Sequence, residues 1–136
     1  MFAVSMAQRD ELQELRREFR IRLVLAFGSK VRGTPHAKSD LDIALLMENG
    51  GSLTLELLQR ISAIFPGARV DLALLNRADP LLLQEVTASP ILLAGSEEDL
   101  QEFRIYSFKR YAEYRPYFQL EAATNTRHLS LLHDGR

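Results

Sequence analysis

The chain has 136 residues, a formal net charge of -1 and no cysteine. This length fits one ordinary domain, expected over residues 1–121, and 46% hydrophobic with 26% charged residues is typical of a globular protein. The composition excludes disulfides, thiolate metal sites and cysteine nucleophiles, and the near-zero charge argues against a protein that mainly wraps nucleic acid. No apolar run approaches the ~20 residues of a membrane-spanning helix, and the N-terminus does not resemble a signal peptide, so we expect a cytoplasmic protein.

The first part of the chain predicts one helix followed by two strands. Apolar residues recur at helical spacing over residues 8–19, which indicates an amphipathic surface helix. The apolar run over 21–27 is rich in branched residues and predicts a buried strand. Alternation over 40–47 predicts a second strand, which places Asp40 and Asp42 together on one of its two faces.

The middle of the chain predicts two more helices and two more strands. Ser52 is the expected N-cap of a helix. Four apolar residues of that helix are spaced to face the core: Leu55, Leu58, Ile61 and Phe65. A third strand is expected over 69–75 with Asp71 on one face, then a short helix over 81–87 opened by an Asp-Pro pair, and a fourth strand over 91–95.

A long helix is predicted over 97–115, with an acidic first turn and Pro116 ending or kinking it. The polar stretch over 122–136 is expected to form a flexible tail. The order of elements predicts an α/β (α+β) domain, in which helices flank a small mixed β-sheet.

One group of residues in the sequence indicates a functional site. Gly28 and Ser29 close the first strand, ten residues follow, and Asp40 and Asp42 open the second strand, with Asp71 inside the third. A glycine turn with a serine hydroxyl can bind a phosphate, and carboxylates two apart on a strand can converge on Mg²⁺. Asp71 can complete such a metal site or accept a proton from an attacking hydroxyl.

Each part also has a bland interpretation. A lone Gly-Ser is a turn, and Asp-x-Asp at the start of a strand is commonly a solvated polar face. Together, however, Asp40, Asp42 and Asp71 are like charges on adjacent sheet positions, and a bound metal removes their repulsion. The combination therefore favours the functional interpretation.

The stretch LAFGSKVRGTPHAKSDLDIALL resembles the G-S-x10-D-x-D signature of the DNA polymerase β-type nucleotidyltransferase superfamily, in particular its minimal nucleotidyltransferase group. The resemblance covers about residues 10–95. The matching positions are Gly28, Ser29, Arg32, Gly33, Ser39, Asp40 and Asp42, with Asp71 at the place of the family's third carboxylate. It implies the polymerase β-like fold, ATP as substrate and two Mg²⁺ ions.

The resemblance also implies residue roles. Gly28 and Ser29 would hold the β- and γ-phosphates, Asp40 and Asp42 the two metal ions, and Asp71 the metal nearer the acceptor. Three further residues are candidate contacts to the nucleotide: Lys30, Arg32 and Ser39. In this reaction a hydroxyl attacks the α-phosphorus of a nucleoside triphosphate and releases pyrophosphate.

The acceptor is the least determined part. Larger relatives add a helical domain that completes the acceptor pocket. In this protein we expect a partner to complete that pocket. Proteins of this group resemble antitoxins that transfer AMP to a tyrosine of a HEPN toxin, which is the function that we favour. The alternatives are a binding module that neutralises its partner by contact alone, and transfer to an antibiotic or to tRNA.

The last predicted helix concentrates the tyrosines of the chain, interleaved with basic residues: Tyr106, Tyr111, Tyr114 and Tyr117. Tyrosine and arginine are enriched at interface hot spots, which suggests a protein-binding face. Packing of these aromatic residues on the chain's own sheet is an equally good interpretation. A platform for single-stranded nucleic acid is less favoured but stays open, as does a homo-oligomer.

Overall fold

The computed structural model describes residues 2–28, 31, 40–49 and 51–134, the side chains of residue 118 and of 121–134 excepted. Within these residues the predicted order of elements is confirmed. The helices and strands are α1 (Met6–Glu18), β1 (Ile21–Phe27), β2 (Leu41–Met47), α2 (Leu55–Ile64), β3 (Val70–Leu74), α3 (Pro80–Ala88), β4 (Ile91–Ala94) and α4 (Glu97–Asp134).

The strands form one mixed sheet in the order β3-β2-β1-β4. β1 is antiparallel to both β2 and β4, whereas β2 and β3 are parallel. Parallel neighbours need a crossover connection, and α2 supplies it. The central strands β1 and β2 are almost fully buried because helices cover both faces of the sheet.

The two faces of the sheet carry separate hydrophobic clusters. α1 and α2 pack on one face, where Val24, Ile43 and Leu45 meet Leu12 and Ile61. α3 and α4 cover the opposite face, where the inward residues include Leu25, Ala44, Leu83 and Phe103. Because side chains alternate along a strand, Asp42 shares its face with Ala44 and lies on the α3 and α4 side.

The start of α2 differs from the prediction. Thr54, and not Ser52, is the N-cap, and its hydroxyl accepts a hydrogen bond from the Leu57 N–H at 3.1 Å. The residues of α2 that face the core are Leu57, Ile61 and Ile64, so Leu55, in the first turn, is 68% exposed. The prediction that Leu55 faces the core was wrong, and Leu58 is only half-buried. Ile61 and Phe65 are buried as predicted.

α4 also differs, because it continues through Pro116 to Asp134 instead of ending near residue 115. The tail predicted over 122–136 is therefore helical as far as Asp134. Proline removes one hydrogen bond from a helix, but Ala112 and Pro116 are exposed, so water can solvate the carbonyl that is left without a donor. Local preference for helix then outweighs the defect.

Candidate active site

The register between β2 and β3 brings two of the predicted carboxylates together. Asp42 on β2 pairs with Asp71 on β3, and on its other side Asp42 lies opposite Phe27, the last residue of β1. Asp40 precedes β2 by one residue and Gly28 follows β1 by one. We call this group, Gly28, Asp40, Asp42 and Asp71, the acidic edge of the sheet.

Gly28 touches Asp42 so closely that no side chain fits between them. Its φ is +89°, a left-handed conformation that favours glycine. A Cβ built on Gly28 would overlap Oδ2 of Asp42 and lie 3.3 Å from its Cγ. The glycine is therefore required twice, for its backbone angle and for the space that the Asp42 carboxylate occupies.

Asp40 has a basic neighbour that the sequence did not point to. Nε of Arg69 lies 3.7 Å from Oδ1 of Asp40; the Arg69 side chain is largely exposed to solvent, whereas that of Asp40 is half-buried. The Leu41 N–H donates to the Arg69 carbonyl at 2.8 Å, so the parallel ladder begins at this residue. Arg69 was hard to assign because its place beside Asp40 depends on the β2–β3 register.

Burial is the main reason that the pKa of Asp42 lies above its usual range. The negative charges of Asp71, Asp40 and Glu85 raise it further, in that order. Glu85 lies on α3, which covers the same face of the sheet. Its effect on Asp42 was not foreseen, because it follows from where α3 packs and not from any local motif.

The carboxylates are oxygen donors of the kind that Mg²⁺ prefers. A divalent cation would also relieve the repulsion that raises the pKa of Asp42. Among the residues that the structure describes, no three acidic or histidine side chains already form a metal site. Four predicted contacts to the nucleotide, Ser29, Lys30, Arg32 and Ser39, lie outside the described residues.

α3 and α4 lead to the acidic edge. α3 ends shortly before Ile91, which pairs with Ala26 near the end of β1. α4 begins at the other end of the sheet, where Arg22 binds Asp99 at 2.9 Å and Glu102 at 3.0 Å. A groove of 290 Å³ separates the two helices and is lined by Gln84, Thr87, Arg104, Ser107, Phe108 and Tyr111. α4 therefore runs toward the acidic edge and beyond it.

The family described as "Polymerase beta, Nucleotidyltransferase" matches residues 11–99 of this chain. The chain belongs to this nucleotidyltransferase family. This nucleotidyltransferase is 31% identical over 94 residues to the protein adenylyltransferase MntA of Shewanella oneidensis, a match that covers 68% of this chain and 67% of the relative.

Solved structures agree with this assignment. A chain of a toxin-antitoxin crystal structure with AMP-PNP is 27% identical to the nucleotidyltransferase, with a TM-score of 0.72 over 87% of this chain and 98% of that chain. A chain of the MntA-HepT toxin-antitoxin structure shares the fold at 23% identity, with a TM-score of 0.68 over 90% of this chain and 99% of that chain. The polymerase β-like fold, with a mixed sheet and a long C-terminal helix, is confirmed.

The aromatic residues of α4 divide between the core and the surface. Phe103 is buried and stacks on Tyr106 at 6.4 Å between ring centres. Tyr106, Phe108 and Tyr117 are exposed, whereas Tyr111 is half-buried. Packing on the chain's own sheet therefore accounts for Phe103 but leaves a largely aromatic surface. No helix in the described part of the chain is both long and apolar enough to cross a membrane.

Proposed function

We propose that this nucleotidyltransferase transfers AMP from ATP to a tyrosine hydroxyl of a cognate HEPN toxin, and that it acts in this way as a cytoplasmic antitoxin. The Asp42–Asp71 pair beside Gly28 carries the proposal, because it joins a compact backbone turn to two carboxylates at one end of the sheet. Two similarities support the acceptor and the nucleotide: a relative named protein adenylyltransferase, and a toxin-antitoxin complex with AMP-PNP.

The nucleotide is proposed to bind along the end of β1. Gly28 and Ser29 hold the β- and γ-phosphates, since a glycine turn lets phosphate approach backbone N–H groups. Lys30 and Arg32 balance the charge of the triphosphate, and Ser39 adds a hydroxyl donor. Two features of Gly28 support this role: its left-handed backbone angle, and the lack of space for a side chain, which would displace Asp42.

Asp40, Asp42 and Asp71 are the proposed ligands of two Mg²⁺ ions. When bound, these ions supply charge stabilisation for the attacking and leaving oxygens of an in-line displacement. The three carboxylates fit this role by donor chemistry and by their mutual repulsion. Because the described residues hold no ready set of three ligands, the phosphate oxygens would complete the coordination.

The acceptor hydroxyl is proposed to approach beside Asp71, which is exposed while Asp40 and Asp42 are half-buried. In the transfer, the hydroxyl oxygen forms a bond to the α-phosphorus, the bond between the α-phosphorus and pyrophosphate breaks, and the Asp71 carboxylate accepts the hydroxyl proton. Asp71 lies opposite Asp42 in the β2–β3 register, where its carboxylate would help to position the acceptor oxygen for in-line attack.

The test is transfer to a HEPN protein, the proposed cognate partner. The two purified proteins are incubated with Mg-ATP, and intact-mass spectrometry is expected to find the HEPN protein heavier by one or more AMP groups, located on tyrosine by fragmentation. Asp42→Asn should abolish the mass increase. Asp10→Asn, a matched change on the exposed side of α1, should leave it intact. No increase with the unmodified enzyme, or equal increases with both variants, would overturn the proposal.

A further inference from the structure

α4 carries an exposed stripe of residues with coiled-coil spacing. Its members are separated alternately by three and four residues, and every one is exposed: Glu98, Gln101, Ile105, Phe108, Ala112 and Arg115. This is the spacing of the a and d positions that form the seam between two packed helices. The buried residues Leu100, Phe103 and Ser107 lie on another face of α4, so the stripe points away from the chain's own core.

The centre of the stripe is apolar. Ile105 is 57% exposed and Phe108 is 74% exposed, and they lie on successive turns of the helix. Exposed apolar residues clustered on one face indicate an interaction site more strongly than the same residues scattered singly. Ala112, one turn further on, is small enough to let a second helix approach.

The stripe is complementary to itself when two copies of α4 run in opposite directions. Around a two-fold axis between residues 106 and 107, Ile105 faces the second copy's Phe108, and Gln101 faces the second copy's Ala112. Glu98 then meets the second copy's Arg115, an opposite charge. A parallel pairing would instead place each charge against its like, which is unfavourable.

The residues beside the stripe support the same direction. Glu102, which also binds Arg22 of its own chain, and Lys109 are seven residues apart and so occupy the same flanking heptad position, on one side of the stripe. Antiparallel helices bring such positions from the two copies together, again pairing an acid with a base. Opposite charges are thus paired at both ends of the seam, on either side of its apolar centre.

We infer that α4 docks on α4 of a second copy of this chain, antiparallel, to form a two-fold symmetric dimer. The same patch then serves both partners, as two-fold symmetry requires. The stripe is about 26 Å long, from the helical rise per residue. A contact between two single helices belongs to the small, weak class of interfaces, so the dimer should form only at high protein concentration. Because α4 runs toward the acidic edge, the two acidic edges would lie at opposite ends of the dimer, each open to an acceptor.

Cysteine crosslinking tests the direction directly, because the chain has no cysteine of its own. An equimolar mixture of the single variants Glu98→Cys and Arg115→Cys, oxidised at about 100 μM, should give a disulfide-linked pair that contains one of each. Each variant oxidised alone should remain largely monomeric. Crosslinking of Glu98→Cys to itself, or no mixed pair in the mixture, would overturn the antiparallel dimer.

Charge reversal tests whether the stripe meets a second copy or another protein. By light scattering after gel filtration, Glu98→Arg and Arg115→Glu should each weaken the dimer, and the two changes combined in one chain should restore it. Phe108→Asp should weaken it by about tenfold or more, with unchanged helix content by circular dichroism. A monomeric unmodified chain at the same concentration, or no restoration in the double variant, means that the stripe serves a different partner and overturns the inference.

Discussion

Replacing Gly28 by alanine would strain the acidic edge in two separate ways. The backbone at Gly28 has a φ of +89°, which an alanine adopts only at a cost. The new Cβ would also overlap Oδ2 of Asp42 and force that carboxylate to move. Gly67 provides a matched control, because its φ is +84° and a Cβ there meets nothing within 4 Å.

The two costs can be estimated separately. The left-handed backbone costs an L-residue about 1–2 kcal/mol. Forcing an extra methyl into a closely packed position costs about 1–3 kcal/mol more. Gly28→Ala should therefore lower the free energy of unfolding by about 2–5 kcal/mol. Gly67→Ala should lower it by only about 1–2 kcal/mol, because only the left-handed backbone is unfavourable there.

Equilibrium unfolding in urea measures both values, and the double variant with Asp42→Ala isolates the contact. The Cβ of Asp42 lies 3.5 Å from the position of the added Cβ, an ordinary van der Waals distance, so truncation at residue 42 removes the overlap. In that background Gly28→Ala should cost no more than Gly67→Ala. If the cost of Gly28→Ala is the same with Asp42 and with Ala at that position, the contact between Gly28 and the Asp42 carboxylate does not constrain the edge.

Three further outcomes are expected. Asp42→Asn should raise the free energy of unfolding at neutral pH, because the raised pKa of Asp42 means that its ionised form is disfavoured in the fold. The contribution of Asp42 to stability is present at low pH and is lost as pH rises through the folded-state pKa, so the stabilities of the two proteins, measured by urea titration from pH 4 to 8, should converge at the acidic end. A variant that is less stable than the parent at pH 7 contradicts this. In a thermal-shift assay, Mg-ATP should raise the melting temperature of the unmodified protein by ligand linkage, and EDTA should cancel the increase. An equal increase in the Asp42→Asn variant would argue against the proposed metal ligands. Asn76→Ala should destabilise the fold by about 1–3 kcal/mol, because the Asn76 side chain accepts from the Met47 N–H and donates to the Met47 carbonyl, each at 2.8 Å. Asn49→Ala, at an exposed position, is the control, and equal urea midpoints for the two alanine variants would contradict the prediction.

The elements that periodicity predicted well are those with a simple burial pattern. β1 agrees with its prediction at both ends, and β2 has Asp42 on the predicted face, because an apolar run between polar turns admits few other structures. The start of α2 was harder, since Ser52 and Thr54 are both good caps and only tertiary packing selects Thr54. Pro116 was predicted to end or kink α4, and the structure shows the helix continuing through it to Asp134.

The site divides in a similar way. Gly28, Asp40, Asp42 and Asp71 were proposed from their places on or beside the predicted strands and from the family resemblance, and the structure brings Asp42 beside Gly28 and opposite Asp71. Arg69 and Glu85 were not proposed, because their proximity to Asp40 and Asp42 depends on how β3 pairs and how α3 packs. Motifs report residues that act through a local turn, whereas charges delivered by a distant element become visible only in three dimensions.

In α4, core packing and contact with a partner fall on different residues, although proteins often use the same residues for both. Among the side chains of α4 that the structure describes, the buried ones, Leu100, Phe103 and Ser107, lie near its start, and those from Ala112 to Tyr117 contribute little to the core. The later part can therefore accept substitutions at little cost to folding. Such a segment is free to diverge as quickly as a binding partner does, and it offers a place for fused peptides or altered recognition without disturbing the acidic edge.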